Sequence, residues 1–503
     1  MLLPPDLEEL IESNHPVRVI NAVIDHLSLD EVIKKYKGGG TSSFHPRMLL
    51  KVLVYSYICN EYSSRRIEQL LKRDVQFMWL SAMATPDHNT INRFRSERIK
   101  DVLKDVFTQV VKLLAESGHV SLKDINVDGT KIEANANRYT FVWGNAIKTN
   151  REKMGQQLEE LWNYAETVAA EELKDKRPSS FAPIDPEQVK DTIAQINEAL
   201  AEKQVDKKVK QKLNYAAKNW PASTAKYNEQ EQILDGRNSY SKTDNDATFM
   251  RMKEDHMKNG QLKPGYNVQI SSEDQFVLNY TVHPNPTDTL TLPAHIEDFE
   301  QNLDATPDTL TADAGYGSEQ NYEVMEQKQI EAYVKYNYFD KEQHGSRSSF
   351  SADQLHYNET EDYIVCPMGQ HMTNIGTHKE KNKSGYEQTI TRYQSPSCEG
   401  CPLRGMCHKQ KGNRIVEINH RLRKLKQKAA ERLRSEEGIR KRKKRCADVE
   451  PIFANWKQNK SFRRFRLRGK AKVTTEIGLI ALAHNLQKLT GKQKGLKMVK
   501  NAA

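Results

Sequence analysis

Three acidic residues, far apart in the chain, stand in contexts that suit metal chemistry. Asp313 closes the run Thr309-Leu310-Thr311-Ala312-Asp313-Ala314-Gly315-Tyr316-Gly317, which starts like a buried strand and ends in a glycine-bearing turn. A strand fixes such an Asp and the turn exposes it, which is how a hard cation is held by a carboxylate. Asp128 stands in Asp124-Ile125-Asn126-Val127-Asp128-Gly129-Thr130-Lys131-Ile132, where Ile125 and Val127 predict a strand, Gly129 a turn and Ile132 a second extended segment. An ordinary Asp-Gly hairpin accounts for that pattern equally well. Glu450 follows the wholly cationic run Arg440-Lys441-Arg442-Lys443-Lys444-Arg445 and precedes Pro451, with Lys457 seven residues on. Phosphoryl transfer has a weak nucleophile and a poor leaving oxygen. Two divalent ions roughly 3.5–4 Å apart serve both, and about three carboxylates on separate elements hold them.

The bulk composition agrees with a polyanionic substrate. The chain has 503 residues and a formal net charge of +10, with a pI near 9.0. At this length more than one domain, or one heavily inserted domain, is expected. No apolar run reaches the roughly 18 residues of a membrane span, and no signal-peptide pattern opens the chain. Six cysteines are too few for a disulfide scaffold, so a reducing cytoplasm is expected.

The elements that position these acids are legible in outline. Residues 1–115 predict a helical domain, with Pro46 at a helix start, Ser63 or Ser64 capping the next helix, and a turn before Asn89-Thr90-Ile91-Asn92-Arg93-Phe94-Arg95. Short helices ending on Arg93 and Arg95 suit a helix-turn-helix DNA reader; a helical bundle with a basic face is the plainer reading. From 116 to 490 strands in hairpins, a helix, then strand-helix-strand predict an α/β mixed sheet flanked by helices. Two insertions interrupt it. Residues 147–236 carry Leu158, Leu161, Trp162 and Ala165, then Val189, Ile193 and Ile196, at helical spacing. Residues 340–412 read as a polar loop holding Cys366, Cys398, Cys401 and Cys407, a set that suits a tetrahedral structural zinc, with His371 and His408 as spare ligands. Reduced structural cysteines are the alternative. Further on, Lys460-Ser461-Phe462-Arg463-Arg464-Phe465-Arg466 interleaves aromatics with cations, a surface for phosphates and bases. A last helix over 474–489 and a basic tail at 491–503 complete the chain.

At these residues the chain resembles the D-D-E transposases of bacterial insertion sequences. The resemblance rests on Val127-Asp128-Gly129-Thr130-Lys131, Ala312-Asp313-Ala314-Gly315-Tyr316, Val449-Glu450-Pro451-Ile452-Phe453 with Lys457, Gly469, and His484-Asn485-Leu486. One subgroup carries a Tyr-x2-Arg-x3-Glu-x6-Lys signature. Glu450-x6-Lys457 fits it, but Arg445 lies one residue too far upstream, Cys446 takes the Arg place, and no Tyr stands before it. The resemblance implies an RNase H-like fold and a triad of Asp128, Asp313 and Glu450 holding two Mg²⁺ or Mn²⁺ ions. It also implies that Lys457 and Arg445 contact the transposon end. The partners it implies are terminal inverted repeats and target DNA, with a homodimer in the synaptic complex of a nucleoid-associated protein. Glu476 is the rival third acid, though an acid near a helix start is often only a dipole partner. The other readings are a metal-dependent nuclease without strand joining and a non-catalytic, domesticated DNA-binding protein.

Overall fold

The computed structural model describes residues 6–34, 44–252, 260–345, 348–382 and 385–491, so the basic tail lies outside the described residues from 492 onward. The chain divides into two compact units. One comprises Met1–Thr130, Asn267–Arg463 and Ala471–Ala503, the other Lys131–Tyr266 and Arg464–Lys470.

The first unit begins with helices, as its patterning predicts. Pro46 opens the Pro46–Ile58 helix, and the His45 ring accepts the Arg47 backbone N–H at 3.2 Å as its cap. Leu49, Leu50, Val52, Leu53 and Val54 are all buried, so this helix is enclosed on more than one face. Asp87 caps the His88–Arg93 helix through Thr90 N at 2.8 Å. Ser63 stands at the N-cap of the Ser64–Leu70 helix but makes no side-chain cap bond. A π-helical turn, Phe94–Arg98, follows Arg93.

The sheet has six strands, of which β1 (Asp124–Glu133), β2 (Leu262–Glu273), β3 (Phe276–His283), β4 (Thr309–Ala312) and β5 (Glu331–Val334) run in the order β3-β2-β1-β4-β5, while the sixth, Thr248–Arg251, pairs antiparallel with the start of β2. The β2–β3 pairing is antiparallel, while β1–β4 and β4–β5 are parallel. The helices Leu292–Leu303 and Glu319–Gln327 make the crossovers to β4 and β5. This is a mixed α/β architecture consistent with an RNase H-like fold. One expectation fails: there is no turn at Asp128-Gly129. β1 runs straight through both, because its partners are distant strands rather than the next segment of chain.

The final helix, Lys470–Thr490, is buried on almost every side rather than along one stripe. Asn485 pairs with the backbone of Val277 in both directions, accepting its N–H at 2.8 Å and donating to its carbonyl at 2.7 Å.

The cysteine-bearing segment is not a loop. Its strands Ile415–Ile418, Glu387–Gln394, His371–Lys381, Tyr363–Val365 and Tyr357–Asn358 form an antiparallel sheet in that order, so the insertion runs past 412. Leu355, Ile364, Met372, Tyr393, Val416 and Ile418 give it a small core of its own.

The second unit holds the helical insertion, which has three helices: Gly144–Val168, Pro186–Ala199 and Lys207–Leu234. Trp162, Leu158, Ile193, Ile196, Leu213 and Trp220 are buried together between them. A two-stranded ribbon, Phe141–Trp143 with Ser239–Ser241, stands at its base. No helix among the described residues is long and apolar enough to cross a membrane.

Candidate active site

The parallel pairing of β1 with β4 brings together two acids that are distant in sequence. Asn126 is level with Thr311, so Asp128 and Asp313 emerge at the same end of the sheet. Each carboxylate is pinned by the amide of a glycine. Asp128 Oδ1 accepts Gly129 N–H at 2.7 Å, and Asp313 Oδ1 accepts Gly315 N–H at 2.8 Å. The second oxygen of each carboxylate faces one cation. Arg445 Nη2 is 3.1 Å from Asp128 Oδ2 and 3.8 Å from Asp313 Oδ2, so those oxygens lie within about 7 Å of each other.

Arg445 belongs to the Glu436–Ala454 helix, which lies against β4 and β5. Lys441 of the same helix donates to Asp124 Oδ1 at 2.9 Å and to Thr309 Oγ1 at 2.8 Å. Asp448 accepts from Asn126 Nδ2 at 2.6 Å and from the Gln275 amide, and burial pushes its carboxyl pKa up. Pro451 lacks the N–H that would bond the Ala447 carbonyl, and Gln275 Nε2 supplies the missing donor at 3.0 Å.

A third acid is present that the sequence did not single out. Asp288 heads a 3-10 turn after β3. Its Oδ1 accepts from Asn267 Nδ2 at 2.7 Å and Gln269 Nε2 at 2.9 Å. A methyl group added at Gly129 would stand 2.6 Å from that Oδ1 and 2.3 Å from Gln269 Nε2. One added at Gly315 would stand 3.5 Å from Asp288 Oδ2. The glycines after Asp128 and Asp313 therefore leave space into which Asp288 fits. The buried Tyr316 hydroxyl senses the same group: burial first, then Asp288, Asp128 and Asp313, raise its pKa well above the usual value, against an opposing effect of Arg445. In sequence Asp288 reads as one more capping acid before a helix, which is why patterning passes over it.

The remaining expected site residues are dispersed. Glu450 is exposed and forms no hydrogen bond or ion pair among the described residues. Lys457 is buried within a π-helical turn, Asn455–Asn459. Glu476 is fully buried and accepts from Tyr57 Oη at 3.4 Å. Arg95 is buried and donates to the Tyr62 carbonyl at 2.7 Å and Asn92 Oδ1 at 3.2 Å, so it holds the helices together instead of facing solvent. Arg93, Arg463 and Arg464 are exposed. Arg463 donates to the Lys457 carbonyl at 2.9 Å, and Arg464 to the carbonyls of Ala134 and Ala136.

As they stand, no three His, Cys, Asp or Glu side chains among the described residues are gathered closely enough to hold a metal ion. The donor set still fits one. Asp128 and Asp313 present hard oxygens, prefixed by their glycine amides and already directed at a positive charge.

Two family models match the chain. Residues 5–97 match a transposase domain (DUF772), and residues 365–490 match a transposase DDE domain. Glu450, Lys457 and Arg445 fall inside the second span, whereas Asp128, Asp288 and Asp313 lie between the two. No curated protein and no solved structure matches. A transposase domain near the start of the chain and a DDE domain toward its end together support a DDE transposase of insertion-sequence type.

Proposed function

We propose that this transposase binds the terminal inverted repeats of its element, cuts the DNA there, and joins the freed 3′ end to a target by metal-dependent phosphoryl transfer. The observation that carries the reading is the convergence of Asp128 Oδ2 and Asp313 Oδ2 on one cation, from adjacent parallel strands. Asp128 and Asp313 would hold Mg²⁺ or Mn²⁺, with Asp288 beside them and Glu450 as the acid that the family signature supplies. When bound, such ions activate the attacking water or hydroxyl and stabilise the leaving oxygen.

The chain's own residues do the positioning. Gly129 N–H and Gly315 N–H fix one oxygen of each Asp, so the other is aimed before any ligand arrives. Asn267 and Gln269 orient Asp288 in the same way. Arg93, Arg463 and Arg464 are exposed and would meet DNA phosphates, the last two while also holding backbone carbonyls, and pairing two ends would use a homodimer.

The test is cleavage of labelled DNA carrying the element's own end, with Mn²⁺. Asp313→Asn should abolish cutting while end binding, read by gel shift, survives. Retained cutting would remove Asp313 from the site. A precut 3′ end joined to target DNA separates a transposase from a nuclease that only cuts. Size and mass of the protein–DNA complex report the dimer.

A further inference from the structure

We propose that the antiparallel insertion carries a structural zinc site made by the thiolates of Cys366, Cys398, Cys401 and Cys407, distinct from the carboxylate site. The four cysteines come from two separate stretches of chain, yet all line one cavity of about 250 Å³. None is in a disulfide.

The backbone around them is shaped to receive thiolates. Cys366 ends the Tyr363–Val365 strand and heads a tight turn in which Gly369 N–H returns to the Cys366 carbonyl at 2.8 Å, with Gly369 at φ +79°. In that turn Met368 N–H points at Cys366 Sγ, 3.4 Å away. Across the cavity, Cys398-Glu399-Gly400-Cys401 bends at Gly400, φ +65°, and Cys398 Sγ accepts Arg414 N–H at 3.3 Å. Cys407 Sγ accepts from Arg414 Nη1 at 2.9 Å. N–H donors around the sulfurs are what the outer shell of a metal site supplies.

Charge points the same way. A divalent ion with four thiolates carries two net negative charges, and the guanidiniums of Arg404 and Arg414 both line the cavity. His408 identifies its own role. Its Nδ1 accepts Gln410 N–H at 3.2 Å, so the ring proton sits on Nε2, which is buried and has no hydrogen-bond partner among the described residues. A protonated Nε2 is a donor rather than a ligand, and a metal-bound thiolate is the acceptor it lacks. The ligands are therefore the four cysteines, with His408 outside them. Soft thiolates in a tetrahedral set select zinc over the hard cations that carboxylates take.

In the structure the sulfurs line the cavity wall and do not meet at coordination distance. Metal binding would draw the Cys398–Cys407 segment onto Cys366. The subdomain has reason to need such a clamp, because its own core is built on six buried side chains among the described residues.

The test is metal analysis of the full-length purified chain, followed by chelation and titration with Co²⁺. One zinc per chain is expected, and one equivalent of Co²⁺ should give thiolate-to-cobalt charge-transfer absorption with intense tetrahedral d–d bands. Cys398→Ser with Cys401→Ser should lose both the zinc and the spectrum. His408→Gln and Asp313→Asn should keep one metal, which separates this site from the carboxylates. The cobalt titration uses the native chain, so misfolding of a variant leaves it decisive. Absence of both zinc and a stoichiometric cobalt spectrum, or zinc retained in the double serine variant, would overturn the proposal. Oxidation of the four thiols to two disulfides would overturn it as well.

Discussion

Replacing Arg445 by Met removes a cation that stands between Asp128 and Asp313. The guanidinium is 3.1 Å and 3.8 Å from their Oδ2 atoms, and the side chains of Arg445 and Asp128 are only 12% and 10% exposed. At an effective dielectric of about 20, one unit pair at such a separation is worth roughly 5 kcal/mol before desolvation is subtracted. Removing one partner of a buried pair typically costs about 3–5 kcal/mol, because the other charge is left uncompensated. Asp313 is 41% exposed and solvent screens it, so a loss near 3 kcal/mol is expected in a chelator. The same interaction opposes a metal ion. Where an ion must displace the guanidinium, about 3 kcal/mol is on the order of a hundredfold in apparent affinity. Arg445→Met should therefore be less stable than the native chain in EDTA yet bind Mn²⁺ more tightly. Saturating Mn²⁺ at a hundred times its Kd returns roughly 2.7 kcal/mol. Urea unfolding with and without Mn²⁺, alongside calorimetric titration of Mn²⁺ into the folded protein, reads both effects. Equal Mn²⁺ affinity in the two proteins would refute the reasoning, because Arg445 would then not compete for the oxygens.

The other expectations probe different parts of the first unit. Gly129→Ala drives a methyl group against Gln269 and Asp288; a cost of about 1–3 kcal/mol is expected, with weakened Mn²⁺ binding if Asp288 is displaced. His484 is buried against the Gln275 carbonyl, and burial lowers its pKa from 6.5 to about 4. The unfolded chain binds the extra proton between those values, so this contribution is complete above pH 6.5 and is lost as pH falls toward 4. That amounts to about 3 kcal/mol, and His484→Gln should flatten this part of the stability–pH curve. Gln275→Ala leaves the Ala447 carbonyl without its donor at a cost of about 1 kcal/mol. Pro451→Ala restores an amide there, so the double variant should lose less than the sum of the two single changes, measured as a double-mutant cycle in urea.

What the sequence revealed depended on whether the deciding interaction was local. β1 and β4 were legible because Ile125, Val127 and Leu310 are buried strand residues in short apolar patterns. Asp128-Gly129 looked like a turn because an Asp-Gly pair has the same local signature whether it bends or not. What makes Gly129 necessary is the approach of Asp288 and Gln269, and neither is near it in the chain. The cysteine insertion looked like a loop because its longest strand, His371–Lys381, buries only Met372 and so shows no alternation of apolar residues. Arg95 looked like a partner of Arg93 on a basic face. The π turn that begins at Phe94 changes the helical phase and carries Arg95 inward to the Tyr62 carbonyl.

The same dependence on helical phase governs Glu450. Lys441, Arg445 and Asp448 follow one another at spacings of four and three residues, so they share the helix face that meets β1. Glu450 comes five residues after Arg445, which at about 100° per residue places it some 140° around the helix. It is exposed there. The Glu450-x6-Lys457 spacing aligns the two residues only on an uninterrupted α-helix. Here a π turn at Asn455–Asn459 intervenes and Lys457 is buried. For Glu450 to join Asp128 and Asp313, the helix must turn or unwind near Pro451, breaking the contacts of Asp448 and Gln275. Asp288 needs no such movement. Mn²⁺ titration of Glu450→Gln and Asp288→Asn, each without and with DNA carrying the element's end, separates the two acids. Loss of affinity in Asp288→Asn without DNA would show that Asp288 shapes the metal site while the helix keeps Arg445 against Asp128. An effect of Glu450→Gln only when DNA is present would show that DNA turns the helix and brings the signature acid in. An effect of Glu450→Gln without DNA would contradict the helix phase that turns Glu450 away from Asp128 and Asp313.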